Sequence, residues 1–139
     1  MAKTVLIDSG PIVAALYRRE EHHSWAKAQF EVLTKPGLTC EAVLSECFFL
    51  LERTPGGKEA LSALLERGII VIGFSAEDHL AETLQLIRRY DDTPMSFADA
   101  SLVRMAELHN DPVIFTTDRD FETYRKNGRQ RIPLVTPWH

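Results

Sequence analysis

Short apolar runs alternate along the chain with longer segments whose apolar residues recur at helical spacing. This alternation is typical of parallel βαβ units, in which each crossover helix covers one face of the sheet. The predicted strands span residues 4–8, 38–40, 69–73, 113–117 and 132–135. The predicted helices span residues 10–18, 22–34, 41–53, 57–67, 76–90, 96–109 and 119–127. The pattern therefore predicts an α/β fold with a central parallel sheet of four or five strands, flanked by helices on both faces.

The connections between these elements are short. Proline and glycine mark them at Pro36-Gly37, Pro55-Gly56-Gly57, Pro94 and Pro112, and the sequence contains no long linker, repeat or low-complexity tract. With 139 residues, the chain has the length of one ordinary domain that can bury its own core. We therefore expect one domain over residues 1–139.

Composition narrows the classes of protein. Hydrophobic residues make up 45% of the chain and charged residues 26%, which is the mixture of an ordinary globular domain. The longest apolar run, at residues 69–74, is far shorter than the roughly 20 residues that span a bilayer. The N-terminal segment has too few apolar residues for a signal peptide. We therefore expect a cytoplasmic protein with no membrane contact.

Neither the cysteines nor the histidines suggest a covalent or zinc framework. If Cys40 and Cys47 lie on one helix, their seven-residue separation places them about 10 Å apart along its axis, which is too far for a disulfide between them. The five histidines have no spacing typical of a zinc site.

The charge of the chain leaves the substrate class open. Its net charge of -4, from 16 basic and 20 acidic side chains, is unlike that of a typical nucleic-acid-binding domain. Four of the acidic residues occupy unusual positions, and without them the remaining 16 balance the 16 basic residues. Divalent ions bound at those four would cancel the excess, so the overall charge neither excludes nor favours a phosphodiester substrate.

Two of the four acidic residues, Asp8 and Asp118, directly follow predicted strands. Open parallel sheets bind ligands at the carboxyl ends of their strands, so the two side chains converge if the first and fourth strands are neighbours. The alternative is that each aspartate only caps the helix that follows it. For either residue taken alone, capping is the preferred interpretation.

The third acidic residue is Glu46, which lies on a predicted helix. Its nearest neighbours on the helix surface are all apolar: Ala42, Val43, Phe49 and Leu50. The pattern therefore predicts that Glu46 lies on an inward face, where a carboxyl group must be neutral, paired or bound to a ligand. Arg53, two turns later, is the alternative partner.

The fourth acidic residue, Asp99, begins an apolar stripe that continues through Leu102, Val103 and Ala106. The spelling Ser96-Phe97-Ala98-Asp99 also matches a capping box, in which Ser96 and Asp99 satisfy the backbone at the start of a helix. For Asp99 taken alone, an inward functional position and a capping role both remain open.

Taken together, the four acidic residues require a positive partner. At a separation of about 4 Å, each pair of carboxylates repels by about 4 kcal/mol in an effective dielectric near 20. Oxygen-only ligands select hard cations, so Mg²⁺ or Mn²⁺ is the expected cofactor. The matching chemistry is hydrolysis of a phosphodiester bond by a metal-activated water.

The same residues lie in four ordered motifs, which are Val5–Gly10, Ser45-Glu46, Ser96–Ala100 and Phe115–Phe121. In this order and spacing the chain resembles the PIN-domain ribonucleases, and most closely the VapC-type toxins of type II toxin-antitoxin pairs. The resemblance implies a PIN-like fold and Mg²⁺- or Mn²⁺-dependent cleavage of RNA. It also implies homodimerisation and inhibition by a small antitoxin protein.

The resemblance also assigns roles to individual residues. The acidic quartet that holds the metal corresponds to Asp8, Glu46, Asp99 and Asp118. Thr116 corresponds to a hydroxyl residue that orients a water molecule, and Asp120 to an accessory ligand. For Asp120, a role in the first turn of the following helix is the preferred alternative.

Basic residues beside the fourth acidic residue are the predicted substrate contacts, with ordinary solvated charge as the alternative; they are Arg119, Arg125, Lys126, Arg129 and Arg131. A second candidate patch is formed by Arg18 and Arg19. Four aromatic residues are interpreted as core or dimer contacts and not as base-stacking surfaces; they are Trp25, Phe30, Phe48 and Phe49.

The leading hypothesis is a metal-dependent endoribonuclease, a hydrolase that acts as a toxin. One alternative is a non-catalytic PIN-fold protein that binds or assembles. A less favoured alternative is a phosphate-handling domain, such as a phosphatase or a receiver. The usual signatures of that last class are missing, because Asp8 is followed by Ser9-Gly10 instead of a second acidic residue two positions on.

Overall fold

A five-stranded sheet forms the centre of the fold in the computed structural model, which describes residues 3–138. Its strands are β1 (Thr4–Ile7), β2 (Gly37–Thr39), β3 (Ile70–Ile72), β4 (Pro112–Phe115) and β7 (Leu134–Val135). The strand order is β3-β2-β1-β4-β7, and every neighbouring pair is parallel. The predicted central parallel sheet is confirmed.

Helices connect and cover these strands. They are α1 (Ser9–Leu16), α2 (His23–Glu31), α3 (Glu41–Leu50), α4 (Gly57–Glu66), α5 (Leu80–Arg89) and α6 (Phe97–Leu108). Each corresponds to one of the first six predicted helices, although each observed helix is shorter than its prediction. None of the helices in the described part of the chain has the length and apolar character needed to cross a bilayer.

The seventh predicted helix, at residues 119–127, is wrong. The chain instead forms a 3₁₀ turn at Arg119–Glu122, followed by an antiparallel hairpin of β5 (Arg125–Lys126) and β6 (Gln130–Arg131). Asn127 and Gly128 reverse the chain with positive φ angles of 51° and 83°. Asn-Gly is a strong hairpin signal, and it outweighs the helix-like spacing of the preceding apolar residues.

Both faces of the central strands are buried. Leu6 and Ile7 point to opposite faces of β1, and neither is exposed to solvent. On one face, the rings of Trp25 and Phe30 contact Phe115 of β4 at centroid distances of 5.2 and 5.3 Å. Helix α6 also packs against β1 and β4. The sheet is thus flanked by helices as predicted, and Trp25 and Phe30 are core residues.

The register of β1 and β4 determines what meets at the carboxyl edge of the sheet. Ile7 lies opposite Phe115, and the Asp8 backbone N–H donates to the Phe115 carbonyl at 3.0 Å. The first and fourth predicted strands are therefore neighbours. This pairing brings Asp8 and the segment after Phe115 together, although more than a hundred residues separate them in the sequence.

Replacing Gly128 with alanine should destabilise the hairpin. A side chain at positive φ costs about 1 kcal/mol or more relative to glycine. We expect Gly128→Ala to lower the free energy of unfolding by about that amount, as measured by chemical denaturation. Asn127→Gly is the matched control and should change stability by less than about 0.5 kcal/mol, because asparagine already tolerates this conformation. Equal stability of Gly128→Ala and the wild type would contradict the role given to this turn.

Candidate metal centre

An open cavity of about 480 Å³ lies at the carboxyl edge of the sheet. The four acidic residues singled out in the sequence all line it: Asp8, Glu46, Asp99 and Asp118. They come from four separate places, after β1 and β4 and within α3 and α6. No lysine or arginine of residues 3–138 is among the residues that line the cavity. The fold therefore concentrates negative charge at one site.

Asp8 is the most deeply buried of the four. Its Oδ1 accepts a hydrogen bond from the Ser9 backbone N–H at 2.8 Å, which caps α1, and its Oδ2 accepts one from the Thr116 hydroxyl at 2.7 Å. Burial raises the pKa of Asp8 to about 7, against the two hydrogen bonds, and the charges of Asp99 and Asp118 raise it further. Capping and a place in the cavity are thus both realised by one side chain.

Thr116 links two of the acidic residues. Its hydroxyl is fully buried, donates to Asp8 and accepts a hydrogen bond from the Asp118 backbone N–H at 3.0 Å. Both functions of the hydroxyl are therefore used to position the acidic residues. Water orientation by Thr116 stays a prediction, because its neighbour Thr117, and not Thr116, lines the cavity.

Gly10 is required by the close approach of α1 to the cavity wall. A Cβ atom at this position would collide with the Thr117 hydroxyl. Glycine therefore allows the first turn of α1 to pack directly against Thr117. As a result, Asp8, which caps α1, and the first residues of the helix also line the cavity.

Asp99 forms the predicted capping box at the start of α6. The Asp99 backbone N–H donates to the Ser96 hydroxyl at 3.0 Å, and the Ser96 backbone N–H donates to Asp99 Oδ2 at 3.4 Å. The capping role is therefore confirmed, and the same carboxyl group also lines the cavity. A functional role for Asp99 stays a prediction. Burial raises the pKa of Asp99, and the hydrogen bond from Tyr124 acts against this shift.

Tyr124 was missed by the sequence reasoning. Its side chain is fully buried, and its hydroxyl donates to Asp99 Oδ2 at 3.1 Å. Burial first, and then the charge of Asp99, raise the pKa of Tyr124, so the phenol stays protonated and acts as a donor. The only sequence signal was an aromatic residue six positions after Asp118, within a segment wrongly predicted to be helical.

Glu46 lies at the mouth of the cavity, and the predicted inward face of α3 is partly wrong. Val43 is fully buried, but Phe49 is 77% and Leu50 54% exposed, and both line the cavity. Within residues 3–138 the Glu46 carboxylate has no hydrogen bond or ion pair, so the alternative partner Arg53 is not used. Glu46 therefore presents both of its oxygens to the cavity or to solvent.

The aromatic residues of α3 differ from one another. Phe48 is half-buried and packs against the core, as expected. Phe49 has the highest exposure among the large hydrophobic side chains of the described chain, so a core role for it is wrong. A dimer contact at Phe49 stays a prediction.

Asp118 and Asp120 belong to the same turn. The Asp120 backbone N–H donates to Asp118 Oδ1 at 2.9 Å, so Asp118 caps the 3₁₀ turn while it lines the cavity. Asp120 occupies the first turn but is not one of the lining residues. Partial burial and the charge of Asp118 raise the pKa of Asp120. The role of Asp120 as an accessory ligand stays a prediction.

The predicted substrate-binding cations surround this turn and do not line the cavity. The Arg119 guanidinium lies 4.3 Å from the ring centre of Trp138. The Arg125 guanidinium donates to the carbonyl oxygens of the three preceding residues at 2.7 to 3.1 Å, which holds the turn together. Lys126 is half-buried in β5. Substrate contact by Arg119, Arg125 and Lys126 stays a prediction.

The donor chemistry of the cavity fits a hard divalent cation. Oxygen atoms that have no hydrogen-bond partner within residues 3–138 include Asp99 Oδ1, Asp118 Oδ2 and both oxygens of Glu46. In that part of the chain no three His, Cys, Asp or Glu side chains are grouped tightly enough to hold an ion as they stand. A cation would therefore have to draw the carboxylates closer together, which their mutual repulsion otherwise opposes.

A model of the PIN-domain family matches residues 5–127 of the sequence. The chain belongs to the PIN-domain family. All four acidic residues of this PIN domain lie within the matched region, and strand β7 follows it.

Among solved structures, this PIN-domain chain is similar to the crystal structure of VapC20 from Mycobacterium tuberculosis, a toxin that cleaves the sarcin-ricin loop. The TM-score is 0.77 at 20% sequence identity, over 86% of this chain and 94% of VapC20. The likeness shows that the two share a fold. A search of curated protein sequences found no match.

The stability of the metal-free PIN domain should fall as the pH rises from about 4 to about 7. Folding raises the pKa of Asp8 from 3.8 to about 7, so the folded state binds more protons than the unfolded state in this range. As the pH rises between those values, the free energy of unfolding of Asp8→Asn should increase by on the order of 3 kcal/mol relative to that of wild type. Chemical denaturation in EDTA across the range measures this difference. Parallel stability profiles for the two proteins would contradict it.

Proposed function

We propose that this PIN-domain protein is a divalent-metal-dependent endoribonuclease and the toxin of a type II toxin-antitoxin pair. The observation that carries the proposal is the gathering of four acidic side chains into one open cavity, whose lining includes no lysine or arginine of residues 3–138. Without a bound cation such a cavity would repel a phosphodiester, so the proposed reaction needs a metal ion. The structure of VapC20, a toxin that cleaves the sarcin-ricin loop, supports the choice of reaction.

In this proposal the metal is held by Asp8, Glu46, Asp99 and Asp118, and Mg²⁺ or Mn²⁺ is the ion that their oxygens favour. The ion supplies activation of water and stabilisation of negative charge at the scissile phosphate. Thr116 holds the Asp8 and Asp118 segments together through its two hydrogen bonds. The burial of Asp8 makes its ionised form costly without a cation, and this favours cation binding near neutral pH.

The shape of the cavity favours a polymer with bases over a small phosphate ester. The cavity is open, and the apolar side chains of Phe49 and Leu50 lie at its mouth, beside Glu46. Proteins that recognise single-stranded RNA stack unpaired bases on exposed aromatic side chains. We therefore place a base of the substrate on Phe49, next to the phosphate at the acidic residues. A base contact at Phe49 takes the place of the core role that its exposure excludes.

Homodimerisation, inhibition by a small antitoxin and a cytoplasmic location complete the proposal. Strand β3 forms one edge of the sheet, and its side chains Val71 and Ile72 are 38% and 49% exposed. Exposed apolar side chains on an edge strand favour association with another chain. It supports an interface, either with a second copy or with the antitoxin.

Purified protein should cleave RNA only with a divalent ion present. EDTA should abolish cleavage, and Mn²⁺ or Mg²⁺ should restore it, because no lysine or arginine within the described range lines the cavity beside the acidic residues. Attack by water predicts products with 5′-phosphate and 3′-hydroxyl ends, which mapping of the cleaved ends in total RNA would show.

The double variant Asp8→Asn, Asp118→Asn should reduce this cleavage to background. The matched control is Asp91→Asn, Asp111→Asn, which changes two exposed aspartates outside the cavity and should stay active. Products ending in 2′,3′-cyclic phosphate, or cleavage that survives both EDTA and the cavity variant, would overturn the assignment.

Phe49→Ala should weaken substrate binding with little effect on the chemical step. Loss of one stacked base costs about 1 to 3 kcal/mol, so KM for single-stranded RNA should rise at least about fivefold. Phe49→Trp should retain the wild-type KM. Val32→Ala removes another side chain that is 69% exposed but lies outside the cavity, and it should leave KM unchanged. A wild-type KM for Phe49→Ala would contradict the proposed contact between Phe49 and a base of the substrate.

A further inference from the structure

Tyr124 is a buried polar residue in contact with the candidate metal centre. Its ring packs edge-on against Tyr90 and Phe121, with centroid distances of 5.1 and 5.2 Å, and its side chain has no exposure to solvent. At the end of this ring, the hydroxyl meets the Asp99 carboxylate at 3.1 Å. A buried hydroxyl needs a hydrogen-bond partner, and here the partner is one of the four acidic residues of the cavity.

The hydrogen bond engages only one side of the carboxylate. Asp99 Oδ2 accepts both from Tyr124 and from the Ser96 backbone N–H. Asp99 Oδ1 accepts no hydrogen bond from any residue of the described range 3–138. Two donors on one oxygen fix the rotation of the carboxylate, so that the other oxygen is the one left for a ligand.

The hairpin after Tyr124 is held by three hydrogen bonds to the ends of α5 and α6. The Arg125 backbone N–H donates to the Tyr90 hydroxyl at 2.9 Å, at the end of α5. The Asn127 backbone N–H donates to Glu107 of α6 at 2.7 Å, and Arg89 of α5 donates to a carbonyl of the turn at 2.6 Å. The hairpin therefore keeps its place when any one of these bonds is lost, whereas the Tyr124 hydroxyl itself is the group that contacts Asp99.

We propose that Tyr124 is a positioning residue that orients the Asp99 carboxylate toward a divalent cation in the cavity. The inference rests on the proposed function, because it takes the four acidic residues as the cation site. It adds a residue from the C-terminal hairpin region that none of the sequence motifs contains. Hydrogen-bond donors behind metal-binding carboxylates commonly change metal affinity by 10- to 100-fold when they are removed.

The test compares Tyr124→Phe with Tyr90→Phe by Mn²⁺ binding to the metal-free full chain, with free Mn²⁺ measured by electron paramagnetic resonance. Each variant loses one phenol oxygen and one hydrogen bond from the same region, but of the two residues only Tyr124 contacts an acidic residue of the cavity. We expect Tyr124→Phe to weaken Mn²⁺ binding by about tenfold or more. Tyr90→Phe should change it by less than about twofold, since its partner is a backbone N–H outside the site.

A second pair of variants separates the hydrogen bond from packing, and it serves also if Tyr124→Phe does not fold. Substitution of Tyr124 by 4-fluorophenylalanine fills the space of the hydroxyl without donating, and 4-aminophenylalanine fills the same space and donates. The fluoro variant should bind Mn²⁺ as weakly as we expect for Tyr124→Phe. The amino variant should bind within about threefold of wild type.

The possible outcomes separate this inference from the proposed function. If wild type binds Mn²⁺ and cleaves RNA while the fluoro and amino variants bind Mn²⁺ equally, the positioning role is overturned and the nuclease proposal stands. If wild type binds no Mn²⁺, the cation site itself is wrong and the inference is overturned with it. The same conclusion follows if the Asp8→Asn, Asp118→Asn variant binds Mn²⁺ as tightly as wild type.

Discussion

Carboxylates that face one another across a single cavity repel, and the structure depends on the local hydrogen bonds that hold them there. Each of the three aspartates accepts from a nearby backbone N–H at the start of a helix or turn. Asp8 is the N-cap of α1, Asp118 is the N-cap of the 3₁₀ turn, and Asp99 completes the capping box that Ser96 begins at α6. These hydrogen bonds orient the three carboxylates without help from a ligand. Glu46, in the middle of α3, has no such hydrogen bond to residues 3–138.

The sheet turns these local arrangements into one site. Pairing of β1 with β4 joins Asp8 to the Asp118 segment through the buried Thr116 hydroxyl. The chain belongs to the PIN-domain family and shares the fold of VapC20. Among residues 3–138, no lysine or arginine lines the cavity, and the proposed metal ion would supply the positive charge.

Much of the fold and the acidic residues of the site followed from residue patterns. The all-apolar strand β4, the caps at Asp8 and Ser96, and the carboxyl-end positions of two aspartates are local signals, and local signals survive folding. Capping and a place in the cavity are compatible, since Asp99 and Asp118 each use one oxygen at the start of a helix or turn and keep the other free of hydrogen bonds to the described residues.

The wrong predictions concern features that tertiary contacts determine, namely the burial of a helix face and the conformation of one segment. Helical spacing cannot tell whether the apolar neighbours of Glu46 are covered, and Phe49 and Leu50 are not. The segment after Asp118 has helix-like spacing but is held as a turn and hairpin by contacts to α5 and α6. Tyr124 was missed for the same reason, because its partner Asp99 is 25 residues away in the sequence.

The positions of the acidic residues along the polypeptide have a consequence for biosynthesis. Asp8 emerges from the ribosome long before Asp118, and the Thr116 hydroxyl that joins their segments is separated from Asp8 by 108 positions. A nascent chain therefore cannot complete the cavity until the segment that contains Thr116 and Asp118 has been synthesised. A translation product that stops before Thr116 would lack both this hydroxyl and the fourth acidic residue of the cavity.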